Sequence, residues 1–289
     1  MWEMILDCVL DALKDGAVLL PFLFVTFLII ESMEHHTEGF MHKLAAKSKK
    51  TGPLWGSALG LVPQCGFSVM SANMYGGGVI TLGTLIAIFL ATSDEALIIM
   101  LGNPDAISKI LPLLACKFVI GCAAGFAIDA ARNFKYRHHL NHDVHEHHLH
   151  DLCDDCGCEK YEGVLRPALF HTVKLFAFIF IFVFIINVVI ELIGEQALSR
   201  FLLSGTIFQP FLTALIGLIP NCAASVLITE LFITGSISFG SALAGLLAGA
   251  GLGLAILFKM HKCTKKNLLI TGLLYAISVV CGIAINLFA

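Results

Sequence analysis

Apolar segments long enough to cross a lipid bilayer recur along the whole chain. A transmembrane helix needs about 20 mainly apolar residues. The chain is 57% hydrophobic and 13% charged, whereas soluble domains are about 25% charged. The sequence therefore predicts an all-α polytopic membrane protein. Its apolar segments lie at residues 16–30, 54–74, 79–101, 110–131, 173–193, 211–232, 237–258 and 268–287.

Two of these segments are interrupted in the same way, by LVPQCGFSV at 61–69 and by LIPNCAASV at 218–226. A shift of 157 residues superimposes them and gives 10 identities in the 31 positions from 53 to 83. Chance similarity between apolar segments does not explain matched Pro, Cys, Ser and Gly at fixed spacing, so the chain contains an internal duplication. The aligned pairs include Pro53 with Pro210, Gly60 with Gly217, Pro63 with Pro220, Cys65 with Cys222, and Ser68 with Ser225.

The distribution of positive charge predicts how the two halves are oriented. Thirteen of the 18 Lys and Arg residues fall in three segments, at 43–50, 132–166 and 259–266. Basic loops stay in the cytoplasm, and all three can do so only if residues 79–102 cross the membrane twice, folding back at TSDEA. Each half then has five crossings, so the repeats are inverted and both termini are extracytoplasmic. Inverted repeats with helices broken at the midplane are typical of secondary transporters.

This organisation divides the chain into four parts. Residues 1–15 are an acidic, amphipathic segment without the basic region of a signal peptide. Residues 16–131 are the first transmembrane repeat, and residues 167–289 are the second. Residues 132–166 form a polar loop that we expect to face the cytoplasm.

The two interrupted segments are the first candidate substrate site. Proline removes a backbone donor and breaks a helix, and irregular backbone within a membrane is tolerated where it lines a cavity or is buried in protein. Each segment supplies an amide, a thiol and a hydroxyl group. The alternative interpretation is close helix packing by small residues. The candidate residues are Gln64, Cys65 and Ser68 in the first segment and Asn221, Cys222 and Ser225 in the second.

The acidic pair in ATSDEA, at 91–96, is the second candidate. Asp94 and Glu95 interrupt an apolar segment, and carboxylates inside a membrane are costly and usually functional. They could bind a cation or relay a proton, unless the fold-back reaches the interface and they are merely solvated. The corresponding positions of the second half, 251 and 252, carry no charge. Asn73 aligns with Glu230 and also becomes a candidate, with Glu230 as a further metal ligand.

Two polar regions outside the spans predict metal binding. Glu31, His35 and His36 crowd the expected cytoplasmic end of the first helix, where they form a cation entrance or simply mark the membrane surface. The loop at 138–163 holds seven of the 12 histidines and three cysteines, a composition typical of metal binding. We interpret this loop as a metal collector or sensor, although a solvated linker is the alternative. Its candidate ligands are His138, His139, His142, His145, His147, His148, His150, Cys153, Cys156 and Cys158.

The paired P-[QN]-C-x-x-S-V segments, ATSDEA and the His-rich central loop resemble the ten-helix heavy-metal exporters. Members of that family are named arsenic efflux proteins or manganese transporters, and the family is distantly similar to organoarsenical permeases. The resemblance covers essentially the whole chain and implies export of a metal or metalloid across the bacterial inner membrane. The permeases carry a cysteine-rich motif at the broken helix, whereas only Cys65 and Cys222 stand at such positions here.

Three functions stay open at this point. The first is efflux of a divalent transition metal of the Mn, Zn or Fe class by proton exchange. The second is efflux of arsenite or an organoarsenical held by the two cysteines, and the third is a membrane metal sensor. An enzyme is not expected, since no nucleophile–base pair or HExxH spacing occurs. We expect the metal ion and the bilayer as partners, with no nucleic acid and no tightly bound cofactor. The glycine-rich run at 245–253 leaves a homodimer open.

Overall fold

A computed structural model describes residues 51–63, 66–137, 208–260 and 263–288, together with scattered helical positions between 20 and 28 and between 169 and 188. The described part contains helices and turns but no strand, which confirms the all-helical prediction. Its first-half helices are α1 (51–60), α2 (Gly66–Gly76), α3 (Leu82–Ala91), α4 (Asp94–Leu101) and α5 (Ile107–Arg137). Its second-half helices are α6 (Gln209–Gly217), α7 (Cys222–Ile233), α8 (Phe239–Ala248), α9 (Leu252–Met260) and α10 (Thr264–Phe288).

These helices match in pairs when the first half is shifted by 157 residues. Their starts agree to within one residue in the four pairs from α2 with α7 to α5 with α10. The turn before α3 contains Gly78 at φ +71°, and the turn before α8 contains Gly235 at φ +73°. Positive φ suits glycine because it has no Cβ. The two halves therefore adopt the same backbone conformation at these equivalent positions.

The same side-chain cap starts α3 and α8. Thr81 lies before α3, and its hydroxyl oxygen accepts a hydrogen bond from the Thr84 N–H at 3.1 Å. Ser238 lies before α8 and accepts from the Ser241 N–H at 3.2 Å. Hydroxyl caps satisfy amides that a helix start leaves without intrahelical partners. The capped helices are the buried centre of the fold, since every residue from Gly83 to Ala91 and from Gly240 to Ala248 is buried.

Each central helix packs closely along the long helix that follows it. A Cβ added to Gly83 of α3 would lie 2.2 Å from the carbonyl oxygen of Gly125 in α5. A Cβ added to Gly240 of α8 would lie 2.3 Å from the carbonyl oxygen of Gly282 in α10. Small residues let membrane helices approach this closely. These contacts fix α3 against α5 and α8 against α10.

The contacts between the two halves occur in equivalent pairs. Helix α2 packs against α9, and the equivalent helices α7 and α4 pack together as well. The central helices α3 and α8 also contact each other, while α3 contacts α10 and α8 contacts α5. Each contact of this kind is repeated when first-half and second-half helices are interchanged. The contacts of the described helices are therefore symmetric under exchange of the two halves.

Four stretches of the described part are long and apolar enough to cross a membrane: Leu82–Leu101, Ile107–Arg132, Phe239–Met260 and Thr264–Phe288. The first and third are 75% and 89% buried, whereas the other two are each 28% buried. Leu111 of α5 and Val280 of α10 are 75% and 65% exposed, as expected of surfaces that face lipid. These spans agree with the prediction of a polytopic membrane protein. Helix α5 continues to Arg137, so the first part of the predicted loop at 132–166 is helical.

Candidate functional site

The first interrupted segment separates α1 from α2. Residues 61–63 are not helical, and α2 begins at Gly66. Ser68 lies in the first turn of α2 and is completely buried. A Cβ added to Gly253 of α9 would lie 2.7 Å from the Ser68 carbonyl oxygen. This predicted site residue thus lies where the first half meets the second.

Asn73 lies further along α2 with a side chain that is 2% exposed. Neither its amide nitrogen nor its amide oxygen has a hydrogen-bond partner within the described part of the chain. Buried polar groups are nearly always hydrogen-bonded, so an exception needs an explanation such as a ligand or an ion. Asn73 follows Ser68 by five residues, or about 140° around a helix of 3.6 residues per turn, so the two side chains do not share one face.

The second interrupted segment separates α6 from α7. Residues 218–221 are not helical, and Asn221 precedes α7 with extended backbone at φ −146° and ψ 148°. Asn221 is buried, and Ser225 is partly buried one turn into α7. The Thr229 hydroxyl donates to the Ser225 carbonyl oxygen at 2.7 Å. Glu230 is exposed, whereas Asn73 at the equivalent position of the first half is buried.

The acidic motif lies at the break between α3 and α4. Thr92 and Ser93 are not helical, and Asp94 and Glu95 are the first two residues of α4. The interruption is therefore shorter than the TSDEA segment. Helix α4 packs against α7, so the helix that begins at Asp94 contacts the helix that begins at Cys222. The side chains of these three residues lie outside the described part.

A buried lysine lies at the same break, and no sequence motif marks it. Lys117 of α5 is 1% exposed. Its Nζ donates to the carbonyl oxygen of Thr92 and to that of Leu246 in α8, the second at 2.9 Å. Its signal in the sequence was a lone charge in an apolar span, which is a functional-site indicator in membrane proteins.

The sequence motifs also do not include Asp129 of α5, which forms hydrogen bonds with the start of α3. Its carboxylate accepts from the Thr81 hydroxyl at 2.6 Å and from the Gly83 N–H at 2.9 Å. Asn286 occupies the equivalent position of α10 and accepts from the Gly240 N–H at 3.0 Å. An amide replaces the carboxylate in the second half, so this contact needs an acceptor oxygen rather than a charge.

No group of three or more His, Cys, Asp or Glu side chains comes together within the described residues. A cavity of about 400 Å³ between α1, α2 and α3 is lined mainly by apolar side chains, including Trp55, Leu59, Met70 and Ile88. Such a lining does not suit a hydrated cation. Several predicted ligands lie outside the described residues: Glu31, His35, His36, Gln64, Cys65, His138, His139, His142, His145, His147, His148, His150, Cys153, Cys156 and Cys158.

Comparison with known proteins adds one match. The model of a protein family described as "Putative, 10TM heavy-metal exporter" matches residues 3–162 and 166–289. The two matched parts cover nearly the whole chain and are separated at 163–165, just after the His- and Cys-rich residues of the loop. No curated protein and no solved structure matches the chain.

Proposed function

The chain belongs to the ten-helix heavy-metal exporter family, and we propose that it exports divalent transition-metal ions of the Mn, Zn or Fe class from the cytoplasm in exchange for protons. In this proposal the substrate site lies between the two interrupted segments, beside the carboxylates of Asp94 and Glu95. Carboxylate, amide and hydroxyl oxygens suit the harder divalent ions, while imidazole and thiolate extend the range to Zn and Cu.

The contact between α4 and α7 carries this proposal. Helix α4 begins with Asp94 and Glu95, and α7 begins with Cys222 directly after Asn221. This contact joins a helix that begins with two carboxylates in one half to a helix that begins after an amide in the other half. Helix starts that face each other near mid-membrane suit a substrate site between repeats. The buried and unpaired amide of Asn73 on α2 is a further polar group that could serve a ligand.

The proposed mechanism needs repeats of opposite orientation, which the charged ends of α5 and α10 support. These two helices correspond under the 157-residue shift. Basic residues lie at the C-terminal end of α5, including Arg132 and Arg137, but at the N-terminal end of α10, at Lys265 and Lys266. If both basic ends face the cytoplasm, the two helices cross the membrane in opposite directions. Alternating access would then rock one half against the other around the site.

Metal uptake into proteoliposomes with outward-facing cytoplasmic sides tests the proposal. Mn²⁺, Zn²⁺, Fe²⁺ and arsenite are offered separately under a proton gradient to the wild type, Asp94→Asn and Glu95→Gln. We expect uptake of a divalent ion that collapses in Asp94→Asn. Asp129→Asn is the matched control, because it also removes a carboxylate from the membrane domain but keeps the acceptor oxygen that Gly83 needs.

Two further variants separate the alternative functions. Replacing Cys65 and Cys222 together with serine should weaken divalent transport, whereas it would abolish transport of a thiophilic arsenical. Deleting the loop at 138–163 should leave transport measurable, whereas a sensor would lose its response. Uptake of arsenite alone, unaffected by Asp94→Asn, would contradict the proposed function and make the cysteine pair the centre of the mechanism.

A further inference from the structure

Lys117 is a buried cation in the interior of a membrane-spanning helix. At 1.5 Å per residue it lies about 15 Å from the start of α5 at Ile107 and about 22 Å from Arg132. Its side chain is 1% exposed, so it does not reach the membrane surface. An ionisable residue at such a depth is costly and faces a partner or a cavity. The contacts of the Lys117 ammonium group therefore bear on the role of its charge.

Two carbonyl groups that accept from Lys117 lie at the C-terminal ends of the two central helices. Thr92 follows the last residue of α3, and Leu246 lies in the last turn of α8. The carbonyl oxygen of Leu246 is freed from the helix because the Ala250 N–H, its regular partner, donates to Ala248 instead. Helix C-termini carry partial negative charge, and such ends coordinate cations in transporters. The ammonium group thus occupies a subsite whose chemistry suits a cation.

The equivalent position of the second half carries no lysine. The 157-residue shift places Leu274 of α10 at the equivalent position, where it is also fully buried. The same shift replaces Asp94 and Glu95 by Gly251 and Leu252. The second half builds the same helices without any of the three charges. The ammonium group of Lys117 and the carboxylates of Asp94 and Glu95 therefore occur in the first half only, at the break between α3 and α4.

We propose that Lys117 is an internal cation that holds the carbonyl subsite of Thr92 and Leu246 in the metal-free carrier and is displaced when a divalent metal binds beside it. This role rests on the proposed function. Without the ammonium, the metal-free carrier would have to reorient with the carbonyl groups of Thr92 and Leu246 facing a low-dielectric interior without a cation, which is costly. The metal-loaded carrier carries its own compensating charge and would still reorient.

Net transport and metal exchange distinguish this role from a structural one. Net transport needs the metal-free carrier to return, whereas exchange of radioactive Mn²⁺ or Zn²⁺ for the unlabelled ion does not. In Lys117→Met we expect net uptake to fall at least about tenfold, equivalent to about 1.4 kcal/mol in the return barrier. Exchange should stay within about threefold of the wild type, and the dissociation constant for the metal should fall because its competitor is gone.

Lys109→Met is the matched control, since Lys109 lies on the same helix with its Nζ 4.9 Å from the centre of the Phe232 ring. It should leave both rates near wild type. Lys117→Arg keeps the charge and should retain most net uptake, and it provides the comparison if Lys117→Met does not purify as a folded protein. Net uptake lost in Lys117→Arg while exchange persists would contradict the proposal.

The remaining outcomes separate this inference from the proposed function. Equal losses of net uptake and exchange in Lys117→Met would indicate a structural role and overturn the inference. Unchanged net uptake in that variant would overturn it as well, while the exporter proposal would stand. A wild type that carries none of the divalent metals would overturn the proposed function and the role of Lys117 with it.

Discussion

The contact between Asp129 and the start of α3 gives a prediction whose size follows from the structure. Asp129 is 9% exposed and accepts from the Thr81 hydroxyl and the Gly83 N–H. Asp129→Ala removes both acceptors and leaves a buried amide unpaired, which costs about 1–3 kcal/mol. The bond from the Thr81 hydroxyl adds about 0.6 kcal/mol, the average for polar contacts between membrane helices. We therefore expect Asp129→Ala to lower the free energy of unfolding by about 2–4 kcal/mol.

Asp129→Asn should cost less than about 1 kcal/mol, because an amide oxygen can accept the Gly83 bond. Asn286 already makes the corresponding bond to Gly240 in the second half. Titration with SDS in mixed micelles, followed by circular dichroism, measures these differences in the purified protein. Asn286→Ala should be destabilising in the same direction. An Asp129→Asn variant as unstable as Asp129→Ala would refute the reasoning, because the charge rather than the acceptor would then be decisive.

Three further predictions use the same unfolding assay. Gly83→Ala and Gly217→Ala should each destabilise strongly, since their added Cβ atoms would lie 2.2 Å and 2.0 Å from backbone carbonyl oxygens. Gly272→Ala is the control, because a Cβ there meets open space, and it should be neutral or slightly stabilising. Equal effects of the three substitutions would refute the close packing. Gly78→Ala should cost about 1–2 kcal/mol because of its positive φ, and Gly78→Asn should cost less. Asn73→Leu should raise stability by about 1 kcal/mol by removing an unpaired buried amide, yet weaken metal binding measured by calorimetry; unchanged binding would exclude Asn73 from the site.

Much of the helical framework was predictable because the duplication left proline and glycine residues at matched positions in the two halves. Pro63 and Pro220 each follow the end of a helix, and Gly78 and Gly235 adopt the same positive φ. These residues are constrained by backbone geometry, so their spacing survives divergence of the apolar residues between them. The exact helix ends were less predictable: Asp94 begins α4 rather than lying between helices, and α5 extends to Arg137.

The candidate site was predictable only where residues departed from the apolar pattern in a recognisable motif. Lys117 and Asp129 carry single charges without a motif, and their partners lie on other helices. Such partners depend on how helices pack, which hydrophobic periodicity does not encode. The exposure of Glu230 has the same origin, since alignment with Asn73 fixes its position along the helix but not its surroundings.

The central claim, exchange of a divalent metal for protons, is tested most directly in everted membrane vesicles that have built up a proton gradient by respiration. Acidification of the vesicle interior is followed by quenching of an acridine dye, and Mn²⁺, Zn²⁺ or Fe²⁺ is then added outside. We predict that one of these ions restores fluorescence in vesicles with the wild type and not in vesicles with Asp94→Asn. Metal accumulation in the same vesicles without any recovery of fluorescence would contradict proton exchange.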